Sequence, residues 1–314
     1  MTPPKVSVIL PTYDRPEYLR KAVDSVGSQT YENVELVVVD DHSPTPAAET
    51  LDEVDGVEIR IVRHEENRGA NEARNTGIDA ADGRYIAFLD DDDTWHPKKL
   101  ERQVRTFDTT DSDVGVVYTG TRYEYGSYNR IEKASLSGQV TKALLRGGSF
   151  GQFSTLLVDA AVIEESGALD TRFPSWQDRE WLLRLSTCCA FDCVEAPLTV
   201  RRRMSDEESI TDNFEEKRDV SYPLFLSKHR SLASEYGEER AFVASLSSIL
   251  GECALKNGYY ADARKYLLKS LYYGPLDPST WVYAVVSLGG GVTYEPLSGF
   301  VHKLHQLDTA GAQR

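Results

Sequence analysis

The chain has 314 residues, 40% of them hydrophobic, enough for one large core with or without an appendage. Acids outnumber bases 50 to 35, a formal charge of −15, which argues against a general nucleic-acid binder because that needs a basic footprint. No apolar run approaches the roughly 18 residues that span a bilayer.

Met1-Thr2-Pro3-Pro4-Lys5 leads directly into Val6–Leu10, too short for a signal peptide, so a cytoplasmic location is expected. The surplus of acid also suits a saline cytoplasm, where screening weakens self-repulsion. Cys188, Cys189 and Cys193 cluster without the paired spacing of a zinc site and read as reduced, structural thiols.

In the first half, strand and helix signals alternate. Val6–Leu10 is a β-branched run. Pro16–Ser28 reads as a helix with Tyr18, Leu19, Ala22, Val23 and Val26 on one face. Val34–Val39 is an almost unbroken apolar strand, as expected when both faces are covered. A short helix over Ala47–Val54, a strand over Val57–Val62, a helix over Ala70–Ala81 and a strand over Tyr85–Leu89 follow. This alternation implies a parallel sheet.

From Asp113 the pattern is mixed. Val114–Thr119 reads as a strand and the stretch bearing Tyr123, Tyr125 and Tyr128 as polar and turn-rich. Gln139–Arg146 reads as a helix, Phe153–Val158 as a strand, Trp176–Leu185 as a helix and Ala196–Arg203 as a strand. Beyond about Asn213 the signals are helical: Glu215–Tyr236, Glu239–Asn257, Tyr259–Tyr273 and Pro278–Leu288. Ala254–Arg264 resembles a tetratricopeptide-like hairpin, although one hairpin is not an array. Two regions are expected, 1–212 and a helical 213–314.

Ligands of parallel α/β sheets sit at the carboxyl ends of the strands. Three polar clusters fall there: Thr12-Tyr13-Asp14-Arg15, Asp40-Asp41-His42-Ser43 and Asp90-Asp91-Asp92-Asp93. Four adjacent carboxylates disfavour one another's ionisation unless a cation binds or water reaches each group. Mg²⁺ and Mn²⁺ favour such oxygens and bridge them to substrate phosphates, which suggests a diphosphate-bearing substrate; an acidic, solvated turn is the alternative. Tyr13 offers a face for stacking. Asp40 and Asp41 either accept from a nucleotide base or cap the following turn. Arg74 either reaches a phosphate or pairs with a rim carboxylate. Asp178 and Glu180 lie at a helix start, where the dipole favours ionised carboxylates. One of them, facing a cleft, is a candidate general base; both could instead simply compensate the dipole.

Pro11–Arg15, Val39–Ser43, Asn67-Arg68-Gly69 with Ala73–Gly77, Phe88–Asp93 and Gln177–Trp181 together resemble the successive motifs of family 2 glycosyltransferases. The resemblance covers about Val6 to Arg203. It implies an inverting enzyme of the GT-A fold, a Rossmann-like mixed α/β sheet of the nucleotide-diphospho-sugar transferases, here with a C-terminal helical appendage. It implies that Thr12, Tyr13, Asp40 and Asp41 cradle the nucleoside. Asp90, Asp91 and Asp92 would form the DxD motif, with Asp92 the ligand of Mn²⁺ or Mg²⁺. Asp178 would be the catalytic base and Glu180 its neighbour. Arg15, Arg74, Trp181 and Arg203 would complete the substrate contacts. The family often carries a His near the Arg-rich strand end, where this chain reads Arg201-Arg202-Arg203-Met204-Ser205, so Arg202 or Arg203 is expected at the diphosphate instead.

The implied donor is a nucleotide-diphosphate sugar, UDP-sugar before GDP- or dTDP-sugar. The implied acceptor is a glycan or lipid-linked saccharide of surface-glycan or protein-glycosylation pathways, reached by peripheral membrane association. A sugar nucleotidyltransferase would need a Gly-rich basic loop after the first strand, which Pro11–Pro16 lacks. The Asp run and Asp178 argue against a non-catalytic scaffold.

Overall fold

The computed structural model of the chain describes residues 3–51, 57–110, 113–125, 128–148, 150–203, 213–291 and 293–294, with the side chains of residues 125, 128 and 203 outside that description. The chain divides into two compact units. One comprises residues 1–140, 150–171 and 177–207; the other comprises 141–149, 172–176 and 208–314. In chain order the elements are β1 Val6–Thr12, α1 Pro16–Gly27, β2 Val34–Asp40, α2 Ala47–Thr50, β3 Glu58–Arg63, α3 Ala70–Ala80, β4 Tyr85–Phe88, β5 Asp93–Trp95, α4 Lys99–Thr109, β6 Val114–Tyr125 and β7 Tyr128–Glu132. They continue with α5 Thr141–Leu145, β8 Leu156–Asp159, α6 Ala160–Ser166, α7 Gln177–Cys188, β9 Ala190–Arg203, α8 Phe214–Glu216, α9 Tyr222–Glu235, α10 Glu239–Lys256, α11 Tyr260–Tyr273 and α12 Pro278–Leu288.

All strands lie in the first unit, in one sheet of order β3-β2-β1-β4-β8-β6-β9-β5, with β7 added to β6. β1 pairs in parallel with β2 and β4, and β2 with β3. β8 then runs antiparallel to β4 and β6, so the sheet is mixed. Alternation along the strands builds the core. Val6, Val8, Leu10, Leu36 and Val38 pack with Leu19, Ala22, Val23 and Val26 of α1 and Leu100 and Val104 of α4. Val37 and Val39 face the other way, onto Ala73 of α3. On that side Gly77 brings α3 against β1: a Cβ there would overlap Cγ2 of Ile9.

The apolar parallel strands were the legible ones. Unforeseen were β5, α4, α6 and the β6–β7 hairpin, in which the stretch read as turn-rich pairs Thr121–Tyr125 with Tyr128–Glu132. Phe153–Thr155 is a 3₁₀ turn rather than a strand start, and α2 ends at Thr50.

The second unit is helical. α10 packs against α5, α8, α9, α11 and α12. The Arg146 guanidinium forks onto Glu238 at 2.8 and 2.6 Å, fixing the start of α10 to the end of α5. Among the described residues no helix is long and apolar enough to cross a membrane.

Candidate active site

The carboxyl ends of β1, β2 and β4 meet at one rim, as open α/β topology requires. Two residues just beyond these ends, Asp14 (φ 54°) and His42 (φ 69°), hold left-handed backbone that costs a non-glycine residue about 1 kcal/mol or more. The chain is therefore bent sharply at this rim rather than elsewhere along the strands.

The four aspartates divide by direction. Asp90, Asp92 and Asp93 each offer a carboxylate oxygen within 4.8 Å of the others. Asp91 turns away: it accepts from the Thr12 hydroxyl at 2.9 Å and pairs with Arg15 at 3.3 Å. Asp91 is therefore a strut between β1 and the acidic loop. Asp93, to which the sequence reading gave no role of its own, lies in the carboxylate cluster. Arg15 also reaches Asp92 at 3.4 Å and Arg74 reaches Asp90 at 2.6 Å.

Burial sets the electrostatics. It pushes the carboxyl of Asp91 up to about 6, against the pull of Arg15. Burial and then the Asp90 charge raise Asp92. Asp93 is held well above the ordinary range by burial, Asp90 and Asp92. Among the described residues one Asp93 oxygen, Oδ1, is buried without a hydrogen-bond partner, while the Ser154 side chain pulls the other way on the same carboxyl. Three guanidiniums, those of Arg15, Arg74 and Arg201, face four carboxylates. A cluster of hard oxygens with surplus negative charge and an orphaned oxygen fits a divalent cation.

Arg201 was missed in the sequence. Its Cα pairs with that of Asp93 across antiparallel β5–β9, which puts both side chains on one face. The guanidinium donates to Oε1 of Gln152, whose Nε2 donates to Asp93 at 3.3 Å. Ser154 accepts the Asp90 N–H on its hydroxyl at 3.0 Å, and its carbonyl accepts the Trp95 indole and the Thr199 hydroxyl. Behind them Lys99 is fully buried, 4.0 Å from the Trp95 ring and donating to Gln103 at 2.8 Å; burial holds its pKa well below normal. Arg202 points the other way, to Glu124 at 3.0 Å. The side chain of Arg203 and residues 204 and 205 lie outside the described residues.

Asp40 and Asp41 make the turn contacts that were the alternative reading of the sequence. Asp40 is 1% exposed; it accepts the N–H groups of Ser43 and Ala47 and the Arg63 guanidinium. Asp41 accepts from His64 and from the N–H groups of Arg68 and Gly69 at 2.7–2.8 Å. It thereby fixes the turn into α3, where Gly69 at φ 88° takes backbone that favours glycine. Tyr13 stands half-exposed at the strand ends. Arg74 is buried over the Phe153 ring, 3.9 Å from its centroid, which is the rim-pairing alternative.

On α7 the two acids separate. Asp178, partly exposed at the second position, accepts its neighbour's N–H at 2.7 Å. Among the described residues no hydrogen bond or ion pair ties it to the four aspartates. Glu180 is buried and bound by Arg184 at 2.9–3.2 Å, while Arg184 also donates to the carbonyls of Ser166, Gly167 and Ala168. Trp181 is fully buried against Phe88 and Phe153. Both side chains are buried within the fold.

Residues 7–162 match the profile described as Glycosyl transferase family 2. The chain belongs to this family. A glycosyltransferase of Rickettsia felis described as uncharacterized is 33% identical over 233 residues, 71% of this chain and 38% of its own length. The Escherichia coli relative WfgD, named UDP-Glc:alpha-D-GlcNAc-diphosphoundecaprenol beta-1,3-glucosyltransferase, is 35% identical over 134 residues, 43% of this chain and 49% of its own. The chain thus spans less than half the length of either relative. Crystalline Staphylococcus aureus TarS 1-349 in complex with UDP-GlcNAc superposes with a TM-score of 0.65 at 16% identity, covering 98% of this chain and 89% of that one. The fold is GT-A.

Proposed function

We propose that this family 2 chain is an inverting glycosyltransferase that moves a sugar from a nucleotide-diphosphate donor to an acceptor hydroxyl. The reading is carried by one observation: Asp90, Asp92 and Asp93 gather at the strand-end rim with arginine counter-ions already in place. UDP-sugar is the favoured donor, because the WfgD name and the TarS complex both contain a uridine nucleotide. A glycan or polyprenol-linked saccharide is the favoured acceptor, after the acceptor in the WfgD name. The donor site belongs to the region before residue 213, and the helical region from 213 serves the acceptor, a partner or a surface.

In this reading Tyr13 stacks on the base, while Asp40 and Asp41 shape the loops beneath it. Asp90, Asp92 and Asp93 would hold Mn²⁺ or Mg²⁺, which when bound supplies positive charge to the diphosphate leaving group. Arg201 and Arg15 add fixed positive charge beside it. Asp178 accepts the proton of the acceptor hydroxyl. The acceptor oxygen bonds to the anomeric carbon as the bond to the diphosphate breaks on the opposite face, so the centre inverts. General-base assistance of this kind is worth about 10²–10⁴-fold.

The test is calorimetry of the chain against UDP, GDP and dTDP and their sugars with Mn²⁺, followed by transfer to a diphosphopolyprenol saccharide with the product's anomeric configuration read by NMR. Uridine-selective, metal-dependent binding and an inverted product are expected. Absent nucleotide binding, or a retained configuration, defeats the reading.

A further inference from the structure

Of eleven large apolar side chains exposed among the described residues, six lie between positions 268 and 288. Leu268 and Tyr272 are one helical turn apart on the outer face of α11, and Trp281, Val285 and Leu288 follow the same spacing on α12. Leu276, 92% exposed, stands in the turn between the two helices. The Trp281 indole donates to Pro275 at 2.8 Å, which fixes the ring against that turn. α12, Pro-Ser-Thr-Trp-Val-Tyr-Ala-Val-Val-Ser-Leu, contains no charge at all. A concentrated exposed apolar patch marks an interaction site.

Charge identifies the occupant. The whole chain has 35 bases to 50 acids, yet Tyr260 to Leu288, which holds α11, α12 and the turn between them, carries Arg264, Lys265 and Lys269 against Asp262 and Asp277. Asp262 faces Arg218 at 3.7 Å, and Asp277 caps α12, accepting from Ser279 and Thr280. The apolar stripe is therefore flanked by cations where the rest of the chain is acidic. Leucine, valine, tryptophan and tyrosine on one side with lysines beside them is the composition of a face that lies in the headgroup–acyl boundary of an anionic bilayer.

We propose that the outer face of α11–α12 seats on an anionic lipid bilayer. This extends the reading of a lipid-linked acceptor, since such an acceptor is held in a membrane, but its evidence lies wholly in the helical unit.

The experiment is flotation of the full chain with vesicles of phosphatidylcholine, with and without phosphatidylglycerol, in the absence of donor and acceptor. The chain is expected to float with the anionic vesicles. Its tryptophan emission should shift to the blue, and Trp281→Phe should remove the shift. Val285→Glu with Leu288→Glu should weaken binding at least about tenfold with an unchanged melting temperature, because both side chains are exposed. Lys265→Glu with Lys269→Glu should abolish the preference for phosphatidylglycerol. Wild-type protein that stays with the aqueous fraction overturns the proposal, as does undiminished flotation of the Val285/Leu288 variant or equal affinity for both vesicle types. So does concentration-dependent self-association lost in that same variant, which would assign the face to a second copy. Failure here leaves the transferase reading intact, because neither substrate is in the assay. Failure of transfer likewise leaves the flotation result standing.

Discussion

Asp178 and Glu180 are two positions apart and stand in different surroundings, one partly exposed and one buried on Arg184. Asp178→Asn should keep donor affinity and lose on the order of 10²-fold or more in kcat, because an amide preserves shape but cannot take the acceptor's proton. Single-turnover kinetics beside calorimetry measure both quantities; an Asn variant within a few-fold of wild type places the base elsewhere. Glu180→Gln should act on the fold instead. It weakens the buried partner of Arg184, so the melting temperature should fall, with a cost of about 1–3 kcal/mol. Asp93→Asn should separate function from stability in the other direction. It removes one of several crowded like charges, so without divalent cations the variant should melt higher, by about 2–4 °C per kcal/mol relieved, while Mn²⁺ affinity falls. A variant that melts lower and still binds Mn²⁺ normally refutes the assignment of Asp93 to the cation set. Residue identity made the rim legible in the sequence; side-chain direction was not. Four consecutive aspartates announce a charged site, but only the bend after β4 decides that Asp91 turns to Thr12 while Asp93 turns in. Arg201 was hidden for a different reason. It lies 108 positions beyond Asp93 and reaches it through an antiparallel pairing with a three-residue strand that has no apolar signature.

β2 carries a buried carboxylate near each end, and the two make it the acid-sensitive element. Burial opposes the charge of Glu35, yet the Lys5 ammonium, the Ser7 hydroxyl and the Asp82 N–H outweigh it and hold the carboxyl below its usual value. Asp40 is likewise lowered, with burial opposed by Ala47, Ser43 and Arg63. A depressed folded-state pKa contributes stability that is present above the unfolded value, about 4, and is lost as pH falls through the folded value. Denaturant midpoints should therefore drop as the solution is acidified below about pH 4, and Glu35→Gln should flatten that slope; a parallel profile would mean Glu35 titrates alike in both states. The contact of α3 with β1 is similarly checkable. Gly77→Ala would press into Ile9 and should cost about 1–3 kcal/mol. At this scale the strands buried on both faces were readable because they form continuous apolar runs. α4 was not, because its sequence Lys-Leu-Glu-Arg-Gln-Val-Arg-Thr-Phe-Asp-Thr buries a lysine and a glutamine beside few apolar residues.

Across the whole chain the −15 charge acts as a diffuse repulsion. Melting temperature should rise from low to molar KCl, where the Debye length shrinks to about 3 Å; a flat or falling series would show that local ion pairs govern instead. The salt response belongs to the surface, whereas the base of the acidic loop is sealed by Lys99 beneath Trp95. An amine with no solvent contact does not react with acylating reagents while the corner of β5 and α4 stays closed. Tryptic mass spectrometry after brief acetylation should find Lys98 modified and its neighbour Lys99 spared, which makes adjacent amines an internal clock. Their labelling ratio counts how often that corner opens, and a divalent cation that ties the aspartates together should slow the clock before any sugar is transferred.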